Sequence, residues 1–236
     1  MELSEDKAGF VRQSFNNIAN RYGPLNSLLS FGLDRYWRWQ TVRKLRSAPP
    51  GEFLDLCGGT MPLALALTQR YPKRQVVCLD FCAEMLHAGL KKPEIASSQR
   101  LLPLCGDAQE LPFADDGFAG VTVGFGVRNL SNLSRGIREM RRILRPGGRL
   151  VILEFSRPDN PFFKPLYGFY KNLLLPVIAG SLSGDRKAYA YLASSIEGFL
   201  PQSKLLRVLT ECGFAGVKAR PLSLGIVTVY TGVVAD

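Results

Sequence analysis

The chain has 236 residues but a single histidine, His87, and no Cys-x-x-Cys pair or Cys/His cluster. It therefore shows no zinc-ligand spacing, and no metal is expected. Its five cysteines, Cys57, Cys78, Cys82, Cys105 and Cys212, are odd in number and fall mostly in or beside apolar strand patterns. That fits buried, reduced thiols rather than a disulfide framework. No apolar run approaches the roughly 18 residues of a membrane span. The longest, Leu173 to Ala179, is interrupted by Pro176. Met1 to Ala8 carry neither a basic start nor an apolar stretch, so no signal peptide is visible and a cytoplasmic location is expected. Internal repeats and low-complexity linkers are missing. So is any known nucleic-acid motif, and nucleic acid is not the expected partner.

What the chain does carry is positive charge, 30 Lys and Arg against 20 Asp and Glu, a net +10. Much of the excess lies in Arg135, Arg138, Arg141, Arg142, Arg145 and Arg149. A solvated helix face is the plain reading of that run, and an anionic membrane surface is the other.

The densest information sits in Glu52-Phe-Leu-Asp-Leu-Cys-Gly-Gly-Thr60. A short apolar run ends around Asp55, a glycine pair follows, and a helical pattern begins after Met61-Pro62. This is a strand, a tight turn and a helix start, the place where open α/β sheets bind ligands. Glycine suits such a turn because a Cβ would block both the bend and the approach of a ligand. A second apolar run, Gln75-Val-Val-Cys-Leu-Asp80, ends in an acid about twenty residues beyond the glycines, where a carboxylate meets ribose hydroxyls. A nucleoside-bearing cofactor follows. The GxGxxG of nicotinamide dehydrogenases is not present, since Thr60-Met61-Pro62 follows Gly58-Gly59. On local grounds alone, Asp80 and Asp107 also suit helix capping, and Met61, Phe81 and Met85 suit the core.

Strands are expected near 52–56, 75–80, 100–105, 118–125, 149–155, 214–220 and 224–234. Helices are expected near 62–71, 82–91, 132–144 and 202–212, and over 9–47 with a break at Gly23-Pro24. Arg145-Pro-Gly-Gly148 reads as the close of a helix and the turn into the next strand. Strands alternating with helices imply βαβ units and a parallel sheet. Residues 157–197 break this rhythm with an aromatic-rich segment, read as a helical insertion over the carboxyl edge of the sheet.

Asp55 with Gly58-Gly59, Asp80, and Asp107-Ala108 in Leu104-Cys-Gly-Asp-Ala-Gln-Glu-Leu-Pro-Phe113 together resemble the cofactor site of class I S-adenosylmethionine methyltransferases. The turn Leu144-Arg-Pro-Gly-Gly-Arg149 agrees. The match then narrows. Arg21-Tyr-Gly-Pro through Asp34-Arg-Tyr-Trp-Arg38, Phe125-Gly-Val-Arg-Asn129, Leu153-Glu-Phe-Ser-Arg-Pro158 and Tyr189-Ala-Tyr-Leu-Ala-Ser-Ser-Ile196 resemble the signatures of the UbiE/MenG-type quinone C-methyltransferases, over about residues 9 to 233. Three features depart from that family's habit. Met61-Pro62 stands where Gly-Asp is usual, and a methionine there is expected to narrow the cofactor pocket or pack on it. Gly124 replaces a small hydroxyl residue, and Asp34 a histidine.

The resemblance implies a Rossmann-like α/β fold, a mostly parallel seven-stranded sheet with helices on both faces. It implies one methyltransferase domain over 1–236: an N-terminal helical segment (1–47), a cofactor-binding core (48–156), a substrate cap (157–197), and a C-terminal helix and strands (198–236). S-adenosylmethionine is the implied co-substrate, held by Gly58, Gly59, Thr60, Asp80, Asp107 and Ala108. The implied reaction is C-methylation of the ring of a polyprenyl quinol precursor of menaquinone or ubiquinone. Arg128, Asn129 and Tyr22 are the implied catalytic groups. Arginine is a poor base, with a pKa above about 12, so Arg128 is expected to stabilise a phenolate or orient a water. A lipid-tailed substrate implies peripheral contact with an anionic membrane. The sequence admits a homo-oligomer without indicating one. Methylation of another aromatic or polyketide acceptor, and a non-catalytic scaffold in a quinone-synthesis assembly, are the competing readings.

Overall fold

The computed structural model of the chain describes Gly9, Ser27, residues 30–156, Tyr191 and residues 194–235. Seven strands form one sheet: β1 (Glu52–Leu56), β2 (Val76–Asp80), β3 (Leu101–Cys105), β4 (Phe118–Gly124), β5 (Leu144–Phe155), β6 (Phe214–Leu222) and β7 (Val227–Val234). Their order is β3-β2-β1-β4-β5-β7-β6. The first five strands pair in parallel, and β7 runs antiparallel between β5 and β6. β2 is buried along its whole length and β4 along all but its last residue. This is why they read as continuous apolar runs rather than alternating ones.

Both faces of the sheet are covered. On one side lie α1 (Leu33–Val42) with the 3-10 turn Arg43–Ser47, α2 (Pro62–Arg70) and α3 (Ala83–Leu90). Trp37, Leu45, Leu67 and Leu86 from this layer pack with Phe53, Val151 and Val229 of the sheet. On the other side, Ile137 and Met140 of α5 (Leu133–Arg142) and Leu205 and Leu209 of α6 (Gln202–Glu211) pack with Leu54, Leu79 and Ile152. A short α4 (Pro93–Ala96) precedes β3. The caps follow the sequence. Pro62 opens α2 at a position where a missing N–H costs nothing. The Asn132 side chain accepts the Arg135 N–H at the start of α5, 2.9 Å away.

One element differs from the sequence reading. Arg145-Pro-Gly-Gly148 lies inside the span of β5 rather than between α5 and the strand. Leu144 already pairs with Phe118, and the ladder resumes with Arg149 opposite Gly120. The residues between loop out as a bulge, which is how a strand accommodates proline. Gly147 takes the left-handed backbone conformation that the bulge needs (φ 70°). The Arg145 guanidinium fixes the excursion by donating to the carbonyls of Pro50 (2.7 Å) and Gly117 (2.8 Å). The helix expected before Gly23-Pro24 and nearly all of the expected cap over 157–197 lie outside the described residues.

The chain leaves β1 toward β2 and β3 on one side, then returns to β4 and β5 on the other. The switch point is therefore the carboxyl end of β1 and β4, where the fold opens a crevice.

Candidate active site

The crevice is a cleft of about 1110 Å³, open mouth included. Its floor is the loop after β1. Gly58 sits so close to β2 that a Cβ would lie 2.1 Å from Cys78 Sγ. Gly59 holds φ 54°, which a side chain resists. The loop is tied to β2 by two bonds: the Gly58 N–H donates to the Leu79 carbonyl (3.3 Å), and the Gly59 N–H to Asp80 Oδ2 (2.8 Å). Asp80 also accepts the Cys82 N–H at the start of α3, through Oδ1 at 2.9 Å. Its ligand-facing and capping readings thus coexist. Each oxygen spends one lone pair on an amide and keeps another. Burial pushes the Asp80 carboxyl upward against these two amide bonds.

Asp55 lies beneath the glycines, fully buried, and lines the cleft. Its Oδ1 accepts the Thr122 hydroxyl at 2.6 Å, while Oδ2 has no hydrogen-bond partner. Burial pushes its pKa up to about 7, against the Thr122 hydroxyl and the Ala64 backbone N–H. A buried carboxylate oxygen without a donor is costly unless a cation or donor arrives from the cleft. Asp107 stands exposed at the cleft rim, its Oδ1 accepting the Gln109 N–H (2.8 Å), with Ala108 buried beside it. Both line the cleft.

Thr60 is placed differently from its expected role. It is buried outside the cleft lining, and its carbonyl accepts Lys92 Nζ at 3.3 Å. Met61 also corrects the sequence reading. It caps α2 in the left-handed conformation (φ 62°) and is completely buried, but it does not line the cleft. Its side chain turns toward α3, where a Cβ on Gly89 would meet Met61 Cε at 2.7 Å. The space that the glycine leaves on α3 is filled by the methionine that departs from the family pattern. Pro62, by contrast, does face the cleft.

Beyond β4, Asn129 lines the cleft and Arg128 stands behind it. The Arg128 side chain is only 2% exposed and donates from Nη1 to Glu154 Oε1 at 2.7 Å. The same nitrogen reaches the Phe125 carbonyl, and Nε lies 3.4 Å from Ser195 Oγ. Burial raises the Glu154 carboxyl, with Arg128 opposing. Arg128 is thus the cation of a buried ion pair across β4 and β5. Asn129 Oδ1 accepts the Tyr191 hydroxyl at 3.1 Å. Glu154 and Tyr191 were not among the expected site residues, although both sit in the quoted signatures Leu153-Glu-Phe-Ser and Tyr189-Ala-Tyr. Tyr22 lies outside the described residues.

Arg38 is the cleft-lining cation that sequence reasoning missed. It is held by Asp34, one of the three departures from the family pattern. Asp34 also accepts the Ser27 hydroxyl at 3.0 Å. Burial pushes the Asp34 carboxyl up, but the Arg38 guanidinium and the serine hydroxyls outweigh it and hold the group low. Among the described residues no group of side chains is suited to a metal ion.

The strand order and a cleft at the switch point, floored by glycines and acids, define the Rossmann-like methyltransferase fold. Solved structures agree at the level of fold. The phosphoethanolamine N-methyltransferase 2 of Haemonchus contortus, in complex with S-adenosyl-L-methionine, superposes with TM-score 0.64 at 11% identity over 85% of this chain and 53% of that one. The [4+2]-cyclase SpnF superposes with TM-score 0.67 at 16% identity over 95% of both chains. Since a cyclase shares it, the fold alone does not choose the chemistry.

The sequence narrows the class. The profile of the ubiE/COQ5 methyltransferase family matches residues 1–234, and the chain belongs to that family. The ubiquinone/menaquinone biosynthesis C-methyltransferase UbiE of Geotalea daltonii is 42% identical over 229 residues, 96% of this chain and 97% of its own. The demethylmenaquinone methyltransferase of Desulfitobacterium hafniense is 38% identical over 230 residues, 97% of this chain and 91% of its own.

Proposed function

We propose that this chain transfers the methyl group of S-adenosylmethionine to a ring carbon of a polyprenyl quinol precursor of menaquinone or ubiquinone. The observation that carries the reading is the acid-floored glycine cradle, set in a chain that matches quinone C-methyltransferases along almost its whole length. The donor fits the residues present. The lone pairs left on Asp80 suit ribose hydroxyls, and Gly58-Gly59 leave bare backbone for a close approach. Asp107 at the rim, with Ala108 buried beside it, suits the adenine. The orphan oxygen of Asp55 suits a ligand carrying positive charge. When bound, the sulfonium supplies the electrophilic methyl.

The protein's share is alignment and raising electron density on the acceptor ring. Asn129 gives its carbonyl to Tyr191, which leaves its amide N–H₂ to donate to a quinol oxygen. That bond favours the phenolate, whose neighbouring ring carbon is the better nucleophile. Arg128 then serves as a positioning residue. Its charge is balanced by Glu154, and its bond to the Phe125 carbonyl shapes the loop that presents Asn129. Tyr22 is proposed to close the ring pocket. A substrate with a polyprenyl tail brings the protein to a membrane surface as a peripheral visitor, since among the described residues no helix is long and apolar enough to cross one.

Met61 packs away from the cleft, which leaves Pro62 as the altered loop residue that faces it. The test is to incubate the protein with S-adenosylmethionine and reduced demethylmenaquinone, then measure ring methylation by mass spectrometry. Calorimetry with S-adenosylmethionine alone runs beside it. Donor binding without methylation of any prenylated quinol would move the reading to another aromatic acceptor. No donor binding by folded protein would end the enzyme reading.

A further inference from the structure

A second concavity, about 1040 Å³ with its mouth, shares no residue with the cleft. Six cations line it: Arg43, Lys44 and Arg46 from the 3-10 turn, Arg70 from the end of α2, Arg149 from β5 and Arg220 from β6. No acid joins them. Among the described residues none of the six forms an ion pair. Arg149 Nε is buried without a hydrogen-bond partner. Burial pushes the Lys44 ammonium down, and Arg220, Arg43 and Lys218 add to this. Cations gathered without a counter-charge repel one another, and an anion that enters relieves all of them together.

An aromatic ridge adjoins this basin. Phe31 is 75% exposed, Tyr36 42% and Trp39 47%. Tyr36 and Trp39 stack at 6.1 Å. Arg43 sits over the Trp39 ring at 4.3 Å, and Gln40, which lines the basin, donates to the Tyr36 hydroxyl at 2.9 Å. Ridge and basin are therefore one continuous surface. Amphipathic aromatic rings beside arginines match the boundary between lipid headgroups and acyl chains.

We infer that the face formed by α1, the 3-10 turn and the adjoining edge of the sheet docks on anionic phospholipid. Trp39 and Tyr36 sit at headgroup depth, and the six-cation basin takes the phosphates. This rests on the proposed lipid-tailed acceptor and adds the surface by which the chain meets it. The same helix joins the two sites, because Arg38 of α1 lines the cleft while Trp39 faces outward. Docking through α1 thus engages a helix that also contributes to the cleft wall.

The test uses the full chain with phosphatidylcholine vesicles, with and without phosphatidylglycerol, and no quinol. Binding is expected only where phosphatidylglycerol is present, and it falls with salt. Lys44→Gln with Arg220→Gln should weaken it about 25-fold, at roughly fivefold per charge near the surface. Trp39 emission should shift to the blue on binding, because the other tryptophan, Trp37, is already buried and bonded to Ser223 Oγ (2.8 Å). Trp39→Phe should abolish the shift. Equal binding to both vesicle types overturns the proposal. So does unchanged binding by a double variant that melts like the parent, or loss of binding in Arg135→Gln/Arg138→Gln instead. Saturable binding of inorganic pyrophosphate without vesicle binding also overturns it, and marks the basin as a site for soluble phosphate. Methylation of a short-tailed soluble quinol, assayed separately, tests the proposed reaction whatever the vesicles show.

Discussion

Two concavities of one chain carry opposite charge and treat it in opposite ways. In the cleft at the carboxyl edge of the sheet, the acids Asp80 and Asp107 each accept backbone amides, and the cations Arg38 in its wall and Arg128 behind it are each paired with an acid. One oxygen of Asp55 is left over, as is one of Asp34, the acid that holds Arg38. In the basin under the 3-10 turn, six cations stand together, with no ion pair among the described residues. The net +10 is thus not a uniform property of the surface. Where charge is compensated, the arrangement is rigid and selects one ligand geometry. Where it is not, the surface takes whatever supplies enough negative charge.

Removing Glu154 would make the cleft resemble the basin by leaving a buried cation alone. Glu154→Leu is expected to cost about 3 to 5 kcal/mol of stability, measured by urea denaturation, because Arg128 stays buried without its partner. The double variant Arg128→Met/Glu154→Leu should recover most of that loss. If the single variant is as stable as the parent, the pair does not hold the loop that carries Asn129.

Asp80→Ala attacks the cleft from its other side. Two amide donors lose their acceptor, and a donor nucleoside loses its carboxylate. At about 1.5–3 kcal/mol for each of two ribose hydrogen bonds to a charged group, affinity for S-adenosylmethionine should drop at least about a hundredfold by calorimetry. Binding to phosphatidylglycerol vesicles should not move, since Asp80 lies outside the basin.

Asp55 gives the cleft a pH signature. Its carboxyl is pushed up to about 7 in the folded chain, against an ordinary value of 3.8. A raised carboxyl means that the folded state holds a proton which the unfolded state has released. Stability is therefore lost as pH rises through that window, and the loss stops above about 7. From about pH 5.5 to 7 it amounts to about 2 kcal/mol, at 1.36 kcal/mol per unit. Asp55→Asn should abolish this slope, read as the difference between variant and parent denaturation curves. A positively charged ligand favours the ionised form, so affinity of the parent for S-adenosylmethionine should fall below about pH 7, by up to tenfold per unit. A flat profile would mean that the orphan oxygen does not meet the ligand's charge.

These contrasts also explain what the sequence made legible. The strand, glycine turn and helix around Gly58-Gly59 are local, and Asp80 follows at a spacing set by one βα unit, so the cofactor floor can be read along the chain. Arg128 and Glu154 meet only through the register of β4 against β5, which no local pattern records, and the arginine therefore read as a catalytic cation. The basin is more distributed still, drawn from residues 43–46, 70, 149 and 220. Three of the six arginines that stand out in the sequence have structural partners. Arg135 pairs with Glu110, Arg142 with Glu139 and Asp115, and Arg145 bonds two carbonyls. Spacing reveals clusters along one helix, but it does not reveal which charges have partners.

Met61 supplies the finest test, because it sits in the cofactor loop yet belongs to the packing behind it. Its left-handed backbone costs about 1–2 kcal/mol relative to glycine. Its side chain is fully buried against Gly89, and losing such a side chain from a packed interior costs about 2–5 kcal/mol. Met61→Gly should therefore destabilise the chain by a net of about 2 kcal/mol, despite restoring the residue usual in the family. Affinity for S-adenosylmethionine should stay within about twofold of the parent, since the side chain does not reach the cleft. Tighter donor binding in Met61→Gly would show instead that the methionine strains the cradle, and that loop and packing are coupled across Thr60.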